Sequence, residues 1–415
     1  MKRSNNKGIA TVSLILIVLG LLAGSGYMFL QNLQAKLLAK ITGCELKSEN
    51  FYETIDFEYV NDWIVVMVEV DESGMEYPFL FDTGAQTVLL DSLLDNIGDD
   101  NFDRFSFGKS SDTTDHAFNN EIISLKRLKM GNVQFSDIGS ISAINSKWGM
   151  LNCISPYGII GYNVLQTLAF QIDYKKQQII LTDDIQSLKN YAEIQWVDYE
   201  PVSNQESPMI NAFIDDTHET RLLFDTGMSG GVKLVSDSLY QLFNQQSADR
   251  IAKYSSRPSL HIRGEGHDLE ESLTFQTSSI RIGSIKMNDM EISVKDAAPE
   301  EFDGIIGNRF FENYIITLDY KSKRIGFIPN KMEDVESKTF GLNYIAHSDK
   351  ITVSSVYHGS NADLSGIQPG DKIQSINGIL ISELSPASFC EIYRGEYDFE
   401  SPGDSTLHLG IVKKD

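Results

Sequence analysis

Short apolar runs separated by Gly, Asn, Asp and Ser dominate residues 51–330, and their spacing is that of strands. Trp63 to Val70 is largely apolar, breaks at Glu72-Ser73-Gly74 and resumes from Tyr77 to Phe81, which predicts a hairpin. Met209 to Ile214 and Leu222 to Phe224 repeat the arrangement. Leu128-Lys129-Met130-Gly131-Asn132 and Ile280-Arg281-Ile282-Gly283-Ser284 read as strand-to-turn junctions, and Leu168 to Leu181 and Tyr314 to Ile328 as closing hairpins. Short helices are predicted at Asp91 to Asn96 and Asp237 to Asn244. The polar stretch from about Ser187 to Pro208 has no apolar period and reads as a separator.

The resemblance between these halves extends to identical residues. Phe79-Leu80-Phe81-Asp82-Thr83-Gly84 is followed 143 residues later by Leu222-Leu223-Phe224-Asp225-Thr226-Gly227. Three more pairs keep the same order at an offset of 146: Asp91-Ser92-Leu93 with Asp237-Ser238-Leu239, Gly158-Ile159-Ile160-Gly161 with Gly304-Ile305-Ile306-Gly307, and Asp173-Tyr174 with Asp319-Tyr320. Four ordered matches imply a duplicated unit of about 140 residues. The extra three residues fall around Ser229-Gly230-Gly231.

Composition narrows the class. The 415 residues allow two to four folding units. With 35 Lys plus Arg against 58 Asp plus Glu, the net charge is −23, and the chain has no basic patch for nucleic acid. At 41% hydrophobic residues the chain has enough apolar content for real cores. Behind Lys2, Arg3 and Lys7, Ile9 to Leu30 carries no charge and is long enough to span a bilayer, with the positive flank cytoplasmic and the rest exported. An uncleaved anchor is expected; small residues at Ala23 to Gly26 leave signal-peptidase cleavage and secretion as the alternative. The lack of Asn-x-Ser/Thr sequons leans toward a bacterial envelope protein. Three widely spaced cysteines, Cys44, Cys153 and Cys390, suggest neither a disulfide framework nor a metal site. The seven histidines lack zinc spacing, and neither a nucleophile elbow nor a phosphate loop is present, so no cofactor or metal is expected.

The duplicated Asp-Thr-Gly carries the candidate chemistry. An Asp ending an apolar strand needs hydrogen bonds to offset its desolvation, and the following Gly permits close approach of backbone N–H groups. A pseudo-two-fold axis brings equivalent positions face to face, so Asp82 and Asp225 are expected to meet. Two adjacent carboxylates cannot both ionise cheaply; they share a proton, leaving one base and one acid around a single water.

Asp-Thr-Gly after apolar strand residues, with Ile159-Ile160-Gly161 and Ile305-Ile306-Gly307 following, resembles the pepsin- and retropepsin-like aspartic proteases, particularly bacterial single-chain forms with fused lobes. Such proteases are the familiar example of a proton-sharing carboxyl pair. The resemblance covers about Phe51 to Asn330. It implies a mainly β, bilobal fold in which Asp82 and Asp225 are the catalytic pair. By the same resemblance Thr83 and Thr226 brace the two loops across the interface, and Gly84 and Gly227 bring backbone N–H groups near the carboxylates. Where pepsin-like enzymes often carry Ser or Thr after Asp-Thr-Gly, this chain has Ala85 and Met228. Loss of a hydrogen bond to the charged form raises a carboxyl pKa, so activity is expected at mildly acidic to neutral pH. Met228 is also a candidate to crowd its turn. Phe105 to Phe118 and His261 to Leu269 are the candidates for the cleft-covering flap of the family.

Beyond Lys331 the texture changes. Ile351 to Val356 reads as a strand, Pro386 to Tyr393 as a helix and Thr406 to Val412 as a closing strand. The run Leu364-Ser365-Gly366-Ile367-Gln368-Pro369-Gly370-Asp371-Lys372-Ile373 leading to Ile376-Asn377-Gly378 resembles a PDZ domain. That resemblance implies that backbone N–H groups around Phe340, Gly341 and Leu342 hold the C-terminal carboxylate of a peptide tail, while the next strand pairs with the peptide. No Lys or Arg lies within this loop, and Lys338 is near it.

The expected organisation is an N-terminal transmembrane helix or signal peptide (1–30), a linker (31–50), two protease lobes (51–190 and 191–330) and a PDZ domain (331–415). The expected activity is that of an aspartic endopeptidase tethered to the bacterial envelope, with its catalytic part exported and polypeptides as substrates. The alternative is an inactive binding protein that uses the same cleft and the PDZ domain to hold peptides.

Overall fold

The computed structural model describes residues 42–105, 110–111, 117–118, 121–155, 157–203, 205–245, 251–256, 270–297, 301–330, 340–397, 399 and 406–413. No helix among them is long and apolar enough to cross a membrane; the run Ile9 to Leu30 lies outside them.

In the first copy, β1 (Tyr52–Val60) and β2 (Trp63–Glu69) are joined by Asn61 and Asp62, both with positive φ, and β2 pairs antiparallel with β3 (Glu76–Phe81). Strand β4 (Val88–Leu90) leads into helix α1 (Asp91–Ile97), which buries Leu93, Leu94 and Ile97. Strand β5 (Gly158–Ile160) inserts between β3 and β4, parallel to the first and antiparallel to the second. The hairpin of β6 (Ala169–Asp173) and β7 (Gln178–Thr182) closes the copy.

The polar separator does more than separate. Its residues Gln195–Asp198 form β8, paired with a closing strand of the second copy, and Arg324 stacks over Trp196 at 4.0 Å. Four residues of mixed exposure are too short to register as a period, and their partner supplies the pattern that makes them a strand.

The second copy repeats the plan. Strands β9 (Pro208–Ile214) and β10 (His218–Phe224) form the hairpin ending at the second Asp, followed by β11 (Val232–Val235) and helix α2 (Asp237–Asn244). The side chain of Ser236 caps α2 by accepting from Leu239 N at 3.2 Å. Strand β12 (Ile251–Ser256) precedes β13 (Gly304–Ile306), which lies parallel to β10 and antiparallel to β11. Strands β14 (Tyr314–Asp319) and β15 (Arg324–Pro329) close the copy.

The halves meet in a sheet ordered β8-β15-β14-β6-β7-β1, with β6 and β14 antiparallel at its centre. One continuous core runs through both halves, including Phe79, Phe81, Phe170, Phe224, Phe311 and Phe327. Burial of this apolar surface is the main stabilising term.

The C-terminal unit has its own core, built on Ile351, Val353, Ile373, Ile376 and Phe389. Its strands are β16 (Leu342–Ala346), β17 (Ile351–Tyr357), β18 (Lys372–Ile376) and β19 (Leu409–Val412). Helix α3 (Pro386–Arg394) starts with Pro386 behind a Ser385 cap and stops at Gly395, which adopts the left-handed conformation at φ 73°.

Two findings differ from the sequence reading of this region. Cys153 and Cys390 form a disulfide, with Cα atoms 5.2 Å apart and 237 residues between them in sequence. Strand β17 also pairs with β12, so the sheet of the second lobe continues into the C-terminal unit. An odd cysteine count gave no sign of the bridge, because the third thiol, Cys44, is free and partly buried against the core. Burial pushes the Cys44 thiol up to about 12.

Candidate active site

Each Asp-Thr-Gly loop is held by the strand that follows it in space. Ile160 O accepts from Asp82 N at 3.0 Å, and Ile306 O accepts from Asp225 N at 3.1 Å, so β5 and β13 fix the two aspartates equivalently. The apolar-apolar-Gly motifs are these strands.

Across the interface the two threonines exchange hydrogen bonds. Thr83 N donates to Thr226 Oγ1 at 3.1 Å and Thr226 N to Thr83 Oγ1 at 3.0 Å, while each hydroxyl donates to a backbone oxygen of the opposite loop, Phe224 O and Phe81 O, both at 2.9 Å. Both threonines are fully buried, so every one of these polar groups depends on a partner from the other lobe.

This grip sets the carboxyl groups of Asp82 and Asp225 against each other within hydrogen-bonding reach. The glycines leave room for the approach. A Cβ at Gly84 would stand 2.6 Å from the Asp225 carboxyl carbon, and one at Gly227 would collide with the Asp82 carboxyl group. Absence of a side chain at these positions is therefore a steric condition for the pair to meet.

The pair is chemically asymmetric. Asp82 Oδ1 accepts from Gly84 N and Ala85 N, both at 2.8 Å, whereas Asp225 Oδ1 accepts from Gly227 N at 2.8 Å. Met228 N instead donates to the backbone oxygen of Asp225 at 3.3 Å. Burial raises both carboxyl pKa values. Backbone donors work against burial at both, Gly84 and Ala85 at Asp82 and Gly227 and Gly84 at Asp225; at Asp225 the negative charge of Asp82 adds to burial and holds the carboxyl well above the ordinary range. With both carboxyls raised and in mutual reach, the pair holds one proton and titrates as a unit.

Asn308, which follows Gly307, went unrecognised in the sequence. It is fully buried and donates through Nδ2 to Thr226 O at 2.7 Å and Asp62 O at 2.8 Å, while its Oδ1 accepts from Tyr174 OH at 2.7 Å. It thus ties the second Asp loop to the β1–β2 turn of the first lobe. Its position directly after the second apolar-apolar-Gly was the available signal, but the repeat has Tyr162 there in the first copy.

Of the flap candidates, Ser110–Ser111 pairs antiparallel with Ala117–Phe118 within Phe105 to Phe118, whose residues 106–109 and 112–116 lie outside the described residues, as does His261 to Leu269. Among the described residues no cluster of three or more His, Cys, Asp or Glu side chains comes together to hold a metal.

In the C-terminal unit, Phe340 and Gly341 are partly buried and Leu342 opens β16. Gly341 has φ 84°, and its oxygen accepts from Tyr357 N at 3.0 Å and Ser360 Oγ at 3.1 Å. A Cβ there would meet Ser360 Oγ at 2.6 Å, so both conformation and space call for glycine. Strand β16 pairs with β17 along one edge; along the other it has no strand among the described residues.

A search of curated proteins finds no match to this chain. Among solved structures it is similar to the basic 7S globulin of soybean, at 9% identity and a TM-score of 0.41, and to conglutin gamma, a basic 7S globulin of lupine seeds, at 12% identity and 0.42. Each superposition covers 68% of this chain and 96% of the other. Residues 315–397 match the PDZ domain family, a span that begins within the closing hairpin of the second copy, and the chain therefore carries a PDZ domain.

Proposed function

We propose that the chain is an aspartic endopeptidase whose PDZ domain docks polypeptide tails. The observation that carries this reading is the buried pair of Asp82 and Asp225, one from each lobe, in mutual reach and each held by backbone N–H donors. A water between them loses a proton to the Asp82 carboxylate as its oxygen attacks the scissile carbonyl carbon. Asp225 gives its proton to the carbonyl oxygen, which yields a tetrahedral diol. Collapse of the diol returns a proton to Asp225, passes one from Asp82 to the leaving amine, and breaks the C–N bond. No bond to the enzyme forms at any point. Charge develops on the substrate oxygen where Asp225 can donate, the group most easily kept neutral by its surroundings.

The envelope tether belongs to the same proposal and rests on the uncharged run Ile9 to Leu30 behind its basic flank. Peptide-tail docking rests on the PDZ match and on the edge of β16 that carries no strand among the described residues.

The test is cleavage of an unfolded protein and a peptide library by the full chain from about pH 3 to 8, with Asp82→Asn and Asp225→Asn as controls. The reading expects cleavage that both substitutions abolish, at mildly acidic to neutral pH. Cleavage peaking below about pH 3.5, where an unperturbed Asp titrates, contradicts the raised dyad. No cleavage at any pH, together with retained peptide binding, favours a peptide-holding protein instead.

A further inference from the structure

The PDZ domain touches both lobes, the second through β17, the strand behind one wall of its peptide groove, and the first through the opposite wall. One wall is β16, the strand that a docked tail would extend. It pairs with β17, whose C-terminal half pairs with β12 of the second lobe through Tyr254–Tyr357, Ser255–Val356 and Ser256–Ser355, and His358 N donates to Lys253 O at 2.8 Å. The other wall is α3, which packs across β16 and is fastened to the first lobe. Cys390 bonds to Cys153, Arg394 pairs with Glu58 and donates to Cys153 O at 3.2 Å, and Asn61 Nδ2 donates to Tyr393 O at 2.9 Å. Tyr393 lies against both the PDZ core and the first-lobe cluster around Trp148 and Ile154.

We infer that the width of the PDZ groove and the relative setting of the two lobes are one mechanical variable, so that a tail bound in the groove changes the activity of the carboxyl pair. The inference rests on the peptidase reading and adds regulation to it. Each lobe supplies one aspartate, and each Asp loop is held by the other lobe's threonine, so the site registers any change in lobe angle. Inside the first lobe the route is short. Cys153 precedes the buried Ser155, whose hydroxyl donates to Pro78 O at 3.0 Å on β3 and Gly158 O at 2.8 Å on β5, the strand that holds Asp82. Coupling between binding sites is reciprocal: substrate in the cleft must alter tail affinity by the factor that the tail alters cleft affinity.

The test uses the full chain and an internally quenched octapeptide substrate with an amidated C-terminus, which offers the groove no carboxylate. The added probe is a pool of decapeptides ending in Val, Leu, Ile or Phe with free carboxylates; the amidated pool is the control. At saturation the free-carboxylate pool is expected to change wild-type kcat/KM about five-fold or more, in the range typical of allosteric coupling. An uncleavable hydroxyl isostere of the substrate should shift the pool's Kd by the same factor that the pool shifts the isostere's. In Cys153→Ser/Cys390→Ser the response, relative to that variant's own basal rate, should fall below about two-fold. Arg394→Gln, which keeps the disulfide, should give an intermediate response. A wild-type enzyme that cleaves but ignores the pool, a pool that does not bind, or a double variant that responds like wild type overturns the coupling while leaving the peptidase reading intact. Absence of aspartate-dependent cleavage removes both.

Discussion

The two Asp-Thr-Gly loops are alike in backbone and unlike in surroundings. Their strands, their threonine exchange and their glycines match almost atom for atom. Around them the copies have diverged. Asp82 accepts from two backbone donors within its own loop, Asp225 from one. Tyr174 of the first copy donates to Asn308, whereas the equivalent Tyr320 is buried with no hydrogen-bond partner for its hydroxyl among the described residues. Duplication supplies the symmetric frame that brings two carboxyls together, and their burial against each other keeps a proton on the pair.

The largest effects should come from breaking the pair itself. Asp82→Asn and Asp225→Asn are each expected to reduce turnover of a peptide substrate by about 10²–10⁴-fold or more, the usual worth of a positioned acid or base, measured as kcat/KM near neutral pH. A loss confined to one variant would mean that the copies are not partners.

Breaking the frame should cost stability equally on both sides. Thr83→Ala and Thr226→Ala each leave a buried N–H and a buried carbonyl unpaired, at roughly 1–3 kcal/mol per unsatisfied group. Urea unfolding should show similar losses for the two, and a markedly unequal pair would count against a symmetric grip.

The diverged positions should respond unequally. Asn308→Ala strips partners from Thr226 O, Asp62 O and Tyr174 OH, and is expected to cost several kcal/mol on the same scale. Tyr320→Phe removes a hydroxyl that has no partner among the described residues and should change stability by less than about 1 kcal/mol in either direction. Comparable losses for the two in thermal melts would erase the distinction.

The smallest effect is a pH-dependent one. A carboxyl whose folded pKa is raised favours the folded state while protonated. That contribution is present below the ordinary carboxyl pKa of about 4 and is lost as pH rises through the folded value. Asp225→Asn should therefore raise the melting temperature at pH 7 more than at pH 4, where the wild-type group is already protonated. A gain independent of pH would show that the raised pKa is not the cause.

What was legible in the sequence follows the same division. The repeat made Asp82, Thr83, Gly84 and their counterparts readable, because identical residues in identical order need no knowledge of contacts. Helices at Asp91–Ile97 and Asp237–Asn244 and the closing hairpins were readable for the same reason. Asn308 was not, since its role is defined where the copies differ. The Cys153–Cys390 bridge joins units separated by 237 residues, a relation that neither periodicity nor spacing encodes. The strand Gln195–Asp198 and the β12–β17 pairing depend on partners far along the chain, so their local residues carry little signal.

The central claim is that Asp82 and Asp225 hold one proton between them. Infrared difference spectroscopy of the wild type against Asp225→Asn at pH 6.5, where unperturbed carboxyls are ionised, reads this directly. The account predicts one protonated-carboxyl C=O band in the wild type that disappears in Asp225→Asn. Two ionised carboxylates at that pH, or a protonated band unaffected by the substitution, would contradict it.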